Sequence, residues 1–439
     1  MPQSVQVSEV IVRRLLLPFL LLLSALNVCG SVLPGFSIRA LGTTSGFVTS
    51  LAADSKGTIY YTTQDGGLFR FERSETTGTF QSTLLARVNT VAISDSGLLG
   101  MALRDDSTAA VHYTIPNNNP NRFGDVLADV VSWVDLRSGQ ETVLHTFACD
   151  LDVPARGESA EHHGGNPSIG PNGSVFVGIG DYNIGLLVTI PGWNAGRIFQ
   201  ILPDGSAREF AKGFRNPYDL SWDSEGQRLI APDNGPSRAA NVPPDIPDDE
   251  INVIHFGDDA GWPDTYGNRP PVAGATPPLY VFPMVIAPTG IVHLGGRNSI
   301  LHRGYLLGGF STKAIYYIPD IDARPLPPPI EILRAGPSVT IDLAESGTGE
   351  IFFATPKTIY KLEVPQRGDC NGDGLVNTDD LTALMAQLSA GSRTLPSVLT
   401  TTPPGTFGCD VDGDGLITSA DVTALFARLH PRNRSVRAH

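Results

Sequence analysis

Two copies of one acidic loop lie near the C-terminal end of the chain. Residues 369–388 read DCNGDGLVNTDDLTALMAQL and residues 410–429 read DVDGDGLITSADVTALFARL. Carboxylates and amides fall at loop positions 1, 3, 5 and 12, with glycine at position 6. A hard divalent cation needs this spacing: an oxygen ligand every second residue, a glycine for the sharp turn, and a last carboxylate from the start of a helix. The ligands expected in the first loop are Asp369, Asn371, Asp373, the carbonyl of Leu375 and Asp380; in the second they are Asp410, Asp412, Asp414, the carbonyl of Leu416 and Asp421. A solvated acidic turn would explain one such stretch but not two in register, so the sequence predicts two bound calcium ions.

These ligands need elements to hold them. An apolar-periodic helix follows each loop, no clear helix precedes it, and position 12 is Asp where a full EF-hand has Glu. On these residues the segment 369–430 resembles a type I dockerin domain. The resemblance implies calcium-dependent docking onto a cohesin-like protein partner. The late-loop pairs Thr378-Asp379 and Ser419-Ala420 depart from the paired small hydroxyls of well-known dockerins, and the connector 389–408 is long and rich in Thr, Pro and Ser.

Composition bounds the rest. The 439 residues carry 45 Asp and Glu against 31 Lys and Arg, a net charge of −14, which leaves no basic surface for nucleic acid. With Gly 47 and Pro 35 and little helical periodicity outside the tail, the main body reads as turn-rich and all-β. Residues 1–30 read as a secretory signal peptide: Arg13 and Arg14 precede an apolar run over 15–26, and small residues follow around Gly30. A lipoprotein signal on Cys29 is the alternative. The run is short for a span of ~20 residues, and no other segment is long and apolar enough to cross a bilayer. The protein is therefore expected to be secreted or periplasmic. Cys149, Cys370 and Cys409 remain after cleavage. Export permits a Cys370–Cys409 bond, since each flanks a calcium loop, and leaves Cys149 as a buried thiol. None of the three has His neighbours at metal-ligand spacing.

Between these ends lies a repeat. An apolar pair, a polar turn with Gly, a β-rich triplet and another short strand recur from Leu51, Gly97, Ser168, Leu220, Leu301 and Ile341. About six copies of strands at this spacing predict a six-bladed β-propeller over residues 34–364, and a two-sheet sandwich gives no reason for the phrase to recur. A short linker, 365–368, leads to the dockerin-like domain at 369–430, and a basic tail closes the chain at 431–439.

Within the repeat, GLLGMAL (from Gly97), HHGGNPSIGPNGSVFVGIGD (His162), GRIFQILPDG (Gly196), GFRNPYDLSWD (Gly213), DNGP (Asp233), DEINVI (Asp249), DAGWP (Asp259) and APTG (Ala287) occur in order. Together they resemble the soluble pyrroloquinoline-quinone (PQQ) sugar dehydrogenases, the glucose/sorbosone dehydrogenase family. The resemblance implies a six-bladed propeller whose top face takes the quinone and a sugar substrate, oxidised at its anomeric hydroxyl. It assigns the catalytic base to the first histidine of HHGGN, His162, with His163 one place away, and cofactor contacts to Arg215 and Asn216. It also places a structural calcium near Asp233, Gly235, Pro236 and the DEIN segment. Glycines in the HHGG turn are expected where backbone approaches a flat cofactor. Three departures concern positive charge. Asn166 stands where the family pattern HxGGR has Arg, and Ser311 where it has a cofactor-pairing lysine. No arginine pair occurs around 338–341. Lys313 would share the face of Ser311 by strand alternation. The readings are an exported quinone-dependent aldose dehydrogenase, a non-catalytic propeller that binds carbohydrate or protein, and a sugar-lactone hydrolase around an axial metal.

Overall fold

The computed structural model describes residues 31–33, 35–118, 126–149, 161–236, 249–295, 301, 304–391, 406–414 and 416–430. The expected signal peptide and the basic tail lie outside them. No helix among the described residues is long and apolar enough to cross a membrane.

Six four-stranded antiparallel sheets follow one another, in the expected six-bladed propeller. The chain opens with β1 (Ser37–Thr43), which is set aside for the end. Blade one is β2 (Val48–Ala53), β3 (Ile59–Thr63), β4 (Gly67–Arg73) and β5 (Phe80–Arg87); blade two is β6 (Leu98–Asp105), β7 (Thr108–Pro116), β8 (Val126–Asp135) and β9 (Glu141–Ala148). Blade three is β10 (Ser168–Ile169), β11 (Val175–Ile179), β12 (Arg197–Ile201) and β13 (Ala207–Lys212). Blade four is β14 (Ser221–Asp223), β15 (Arg228–Asp233), β16 (Glu250–Ile254) and β17 (Tyr280–Val281); blade five is β18 (Pro288–Leu294), β19 (Gly304–Gly309), β20 (Ala314–Ile318) and β21 (Ile330–Leu333). Blade six is β22 (Asp342–Glu345), β23 (Ile351–Ala354) and β24 (Thr358–Glu363), and its outer strand is β1, paired with β24 from Ser37↔Glu363 to Thr43↔Thr358. The first strand thus closes the ring by supplying the outer strand of the last blade.

Sequence explains the order of strands within a blade. Second strands such as IYYTT in β3 and VFVGI in β11 are buried throughout, because sheets cover both their faces, and β-branched and aromatic residues suit that place. Outer strands alternate: FQSTLLAR in β5 is half-buried or exposed along its length. Five of the six repeat phrases begin at or beside an inner strand, but the fifth begins at Leu301, ahead of β19. Its inner strand β18 is the earlier APTG segment.

The C-terminal module has its own core of Cys370, Leu384, Cys409, Val411, Ile417 and Leu425, formed by two helices, α1 (Thr378–Ser389) and α2 (Ser419–Leu429). It is not hung on a free linker. Phe407, fully buried, belongs to the propeller's core beside Leu33, Leu294 and Phe353, and its ring meets Phe36 edge-on at 5.3 Å. Gly368 N donates to Gly408 O at 2.8 Å, so the end of the linker 365–368 is pinned to the end of the connector 389–408. The bond expected between Cys370 and Cys409 is not present: the two are thiols, buried side by side, with Cys409 Sγ 3.9 Å from Cys370 O. Packed as small apolar side chains in this core, they need no covalent link to stay together.

Candidate active site and calcium loops

The loops at one end of the propeller converge on two adjoining cavities. One, of about 400 Å³, opens at the centre and is lined by residues including Phe47, Leu99, Gly164, Tyr218, Thr289 and Ile341. The other, of about 280 Å³, is bounded by Asp95, His162, Arg215, Asn216, Asn234 and Ser311, among others. Its walls come from two kinds of loop. His162 and Arg215 lie where the chain passes from an outer strand to the next inner one; Asn234 and Ser311 lie between second and third strands. The structure therefore brings His162, Arg215 and Asn216 into one cavity, although 54 positions separate the first from the last.

His162 has φ of 55°, in the left-handed region that a non-glycine residue seldom adopts, and such outliers gather at working sites. Its Nδ1–H donates to Asp181 Oδ1 at 2.7 Å, which leaves Nε2 as the basic nitrogen of the neutral ring. Asp181 is held in turn: Asn183 N donates to the same oxygen at 2.8 Å and Trp262 Nε1 to Oδ2 at 3.0 Å. Asp181 and Trp262 were not foreseen from the sequence. The signal available was GIGD, whose aspartate stands two residues beyond β11, at the mouth.

His163 faces the other way. It is fully buried and its Nδ1–H donates to Asp129 Oδ1 at 2.9 Å. Of the two histidines only His162 lines the cavity. The glycines beside them are required by packing, since a side chain at Gly164 would strike Gly178 O and one at Gly165 would strike Tyr218 O, and Gly164 also lines the central cavity. The turn lies against protein backbone on both sides.

Arg215 Nη1 donates to the carbonyls of Asn234 and Gly235 at 3.1 and 3.0 Å, and its guanidinium is 6.0 Å from the Trp262 ring centroid. Among the described residues no carboxylate lies within 4.0 Å of it, so it is not the interblade ion pair that such an arginine commonly forms. Asn216 works on both sides of the wall. Its Oδ1 accepts from Gly164 N at 3.1 Å, and its own N donates to Asp233 Oδ1 at 2.7 Å. Burial, with the charge of Glu250 opposite it in the sheet, pushes the Asp233 carboxyl up to about 8. Asp249 accepts from the backbone of Gly235, Ile286 and Ala287, which ties the loop after β15 to the segment leading into β18. The residues to which the resemblance assigns a calcium, Asp233, Gly235, Pro236 and the DEIN segment, are described, and the loop 237–248 between them lies outside the described residues.

Two of the missing charges read differently in three dimensions. Asn166 does not face the His162 cavity. It lines the central channel, where residues from the inner strands of all six blades meet, and its Nδ2 donates to Asp342 Oδ2 at 3.1 Å. The Arg-to-Asn departure thus removes a cation from the channel acids Asp219 and Asp342, not from the cavity. Ser311 does line the cavity, but Lys313 cannot replace it by strand alternation: residues 310–313 form the turn between β19 and β20, and Lys313 itself has φ of 54°.

The Glucose / Sorbosone dehydrogenase family profile matches residues 48–324, well over half of the chain. The chain belongs to that family. The match spans blades one to four and the first three strands of blade five; β21 and the closing blade with β1 lie outside it. Among solved structures, the PQQ-bound aldose sugar dehydrogenase from Streptomyces coelicolor is similar at 21% identity with a TM-score of 0.59, covering 76% of this chain and 99% of that one. The soluble aldose sugar dehydrogenase from Escherichia coli, in its apo form, gives 15% and 0.61 over 75% and 99% of the two chains. The PQQ domain of pyranose dehydrogenase from Coprinopsis cinerea gives 11% and 0.56 over 76% and 96%. At these identities the likeness is one of fold. No curated protein matches the sequence.

Residues 367–430 match the dockerin type I domain, a calcium-binding module whose presence implies a cohesin-type partner. Both loops are shaped for ions. Asp369 accepts from Gly372, Asp373 and Gly374 N, and Asp410 from Gly413 N. One carboxylate oxygen from each of Asp410, Asp412 and Asp414 lies within 4.8 Å of the others. The position-12 residues Asp380 and Asp421 are fully buried. Each also closes a capping box, accepting from Asn377 N at 2.8 Å and Thr418 N at 2.7 Å. A shorter Asp suits both tasks, since the same side chain starts the helix and faces the loop.

Proposed function

We propose that the protein is an exported, PQQ-dependent dehydrogenase that oxidises the anomeric hydroxyl of aldoses and docks to a cohesin-like partner through its calcium-folded C-terminal module. The observation that carries the enzymatic reading is the oriented pair His162–Asp181, at 2.7 Å, on the wall of a cavity that also presents Arg215. A histidine whose Nδ1–H is committed to a carboxylate offers Nε2 as a general base, and the carboxylate stabilises the imidazolium once the proton has moved. His162 would take the proton of the substrate hydroxyl. When bound, the quinone supplies the two-electron acceptor for the hydride from the same carbon.

The residues present fit that group in two respects. The adjoining cavities, of about 280 and 400 Å³, share Asp95, Asn216, Asn234, Ala287 and Phe310, so a flat tricyclic molecule can extend across both. Arg215, without a carboxylate of its own among the described residues, can fork onto one of the ligand's three. Asn216, which lines both cavities, is positioned to add a neutral donor, whereas Asn234 Nδ2 already donates to the carbonyls of Asn216 and Pro288. Two calcium ions are proposed in the loops of residues 369–380 and 410–421, with the ten ligands named from the sequence. The domain limits proposed are 34–364 for the propeller and 369–430 for the docking module.

The test is reconstitution of the purified protein with quinone and calcium, followed by assay of a panel of aldoses with a dye acceptor. Turnover of at least one aldose supports the reading. Quinone binding without turnover, or no binding, rejects it in favour of a carbohydrate-binding propeller, for which a single cavity arginine is the favouring observation.

A further inference from the structure

Below the His162 loop, five side chains meet where blade two packs against the segments around β10 and β11 of blade three. Asp129 on β8 is fully buried and stands at the centre. His163 Nδ1 lies 2.9 and 3.2 Å from its two oxygens, Tyr182 Oη lies 3.2 Å from Oδ2, and Cys149 Sγ, one residue beyond β9, lies 3.7 Å from Oδ2. His112 on β7 brings Nε2 to 3.4 Å from Oδ1. One ligand-capable atom from each of Asp129, Cys149 and His163 lies within 4.8 Å of the others, and all three residues are buried.

His112 shows what this cluster lacks. Its Nδ1 is 2.9 Å from the carbonyl oxygen of Gly165, and a carbonyl only accepts, so Nδ1 carries the proton. In the neutral ring Nε2 is then a bare lone pair. It is completely buried, makes no hydrogen bond, and faces a carboxylate oxygen. Two lone pairs facing each other in a dry interior repel unless a cation stands between them. A ring whose far N–H is committed to a backbone carbonyl is also the usual preparation of a metal-ligating histidine.

From these atoms we propose that His112 Nε2, His163 Nδ1, Cys149 Sγ and Asp129 form a buried structural site for a zinc-class divalent ion. Two imidazoles, a thiolate and a carboxylate are the donors such an ion prefers. Bond lengths of about 2.0–2.3 Å set ligand atoms about 3.3–3.8 Å apart in a tetrahedron. The 3.4 Å and 3.7 Å separations already match, and the 2.9 Å contact widens when the ion replaces its proton. Binding releases the Cys149 thiol proton, and His163 changes tautomer, its proton moving from Nδ1 to Nε2 so that the ring stays neutral. Tyr182 remains as a donor to Asp129 from outside the ligand set. All four ligand residues are buried, so the site holds structure and takes no substrate. It ties β7, β8 and the end of β9 to the turn that carries His162, one residue from a ligand. The proposal does not depend on the quinone reading.

The full-length protein should be produced in minimal medium supplemented with zinc or with cobalt, purified without metal resin or chelator, and dialysed against calcium. Plasma mass spectrometry should find about one zinc per chain. The cobalt form should show tetrahedral visible bands and a thiolate-to-cobalt band in the near ultraviolet. C149S should abolish that band and C409S should keep it, which separates this site from the thiols of the C-terminal module. H112Q should lower metal content at least tenfold. Should C149S or H112Q fail to fold, the wild-type spectrum decides alone. Zinc below about a tenth of an equivalent together with no thiolate band in wild-type protein would overturn the proposal, and the cluster would then be an imidazolium paired with Asp129. A thiolate band that survives in folded C149S would overturn it equally.

Discussion

Asn166 donates to Asp342 at 3.1 Å inside the central channel, at a place the linear pattern had assigned to the cofactor. Asp342 also accepts from Leu51 N and Ser50 Oγ, and even so burial pushes its carboxyl up to about 7; burial and the neighbouring Asp342 charge raise Asp219 as well. These acids are uncharged more readily in the folded chain than in the unfolded one, where Asp titrates near ~3.9. The folded state therefore binds more protons between about 4 and 7. Their contribution to stability is fully present below the unfolded value and is lost as pH rises through about 7. With calcium held saturating, Asp342→Asn should flatten the decline of Tm between pH 5 and pH 7.5. Parallel curves for the variant and the wild type would refute this.

The His162–Asp181 pair should behave as a catalytic unit. His162→Ala is expected to lose about 10²–10⁴-fold in kcat while still binding quinone, because a general base acts mainly in the transition state. Asp181→Asn keeps a hydrogen-bonding shape but can favour the wrong tautomer, and should lose turnover with little change in Tm. Full activity in Asp181→Asn would show that the carboxylate has no part in orienting the ring.

Arg215→Ala should act on affinity. Loss of a charge-assisted contact costs about 1.5–3 kcal/mol, or roughly tenfold to a hundredfold in quinone Kd. Excess quinone should restore most of the turnover of Arg215→Ala and none of His162→Ala. An unchanged quinone titration in Arg215→Ala would place the cofactor carboxylates elsewhere.

Phe407 should couple calcium to the propeller. Its ring is buried against Phe36 in the propeller core while the next residues enter the calcium module. Phe407→Ala is expected to destabilise the chain by about 3–5 kcal/mol, as for other large core truncations. Chelation should also unfold α1 and α2, because the clustered carboxylates repel one another without ions. In wild-type protein calcium removal should lower the propeller's Tm, and in Phe407→Ala the propeller transition should no longer respond to calcium. Calorimetry with and without chelator measures both, and an equal calcium effect in the two proteins would count against the coupling.

The calcium loops, the repeat and the family were all legible in sequence because each is written in local spacing. Ligands every second residue, a glycine at position 6 and a helix start lie within a single short segment. A propeller repeats one local phrase for each blade. What depended on the ring closing was not legible. β1 lies next to β24 only after five other blades have been laid down between them. Asn166 looked like a lost cofactor contact because its neighbours in sequence line the mouth, whereas strand alternation and the start of β10 turn it into the channel. Cys149 looked inert because His112 and His163 are distant from it in the chain; pairing of β7 with β8 brings His112, and the turn before β10 brings His163, to the same carboxylate. The sequence by itself determined which side chains were available and which local turns and strands they would form. Only the tertiary structure decided which of them meet, because contacts between blades depend on the accumulated twist and register of whole sheets, and no short-range pattern encodes that sum.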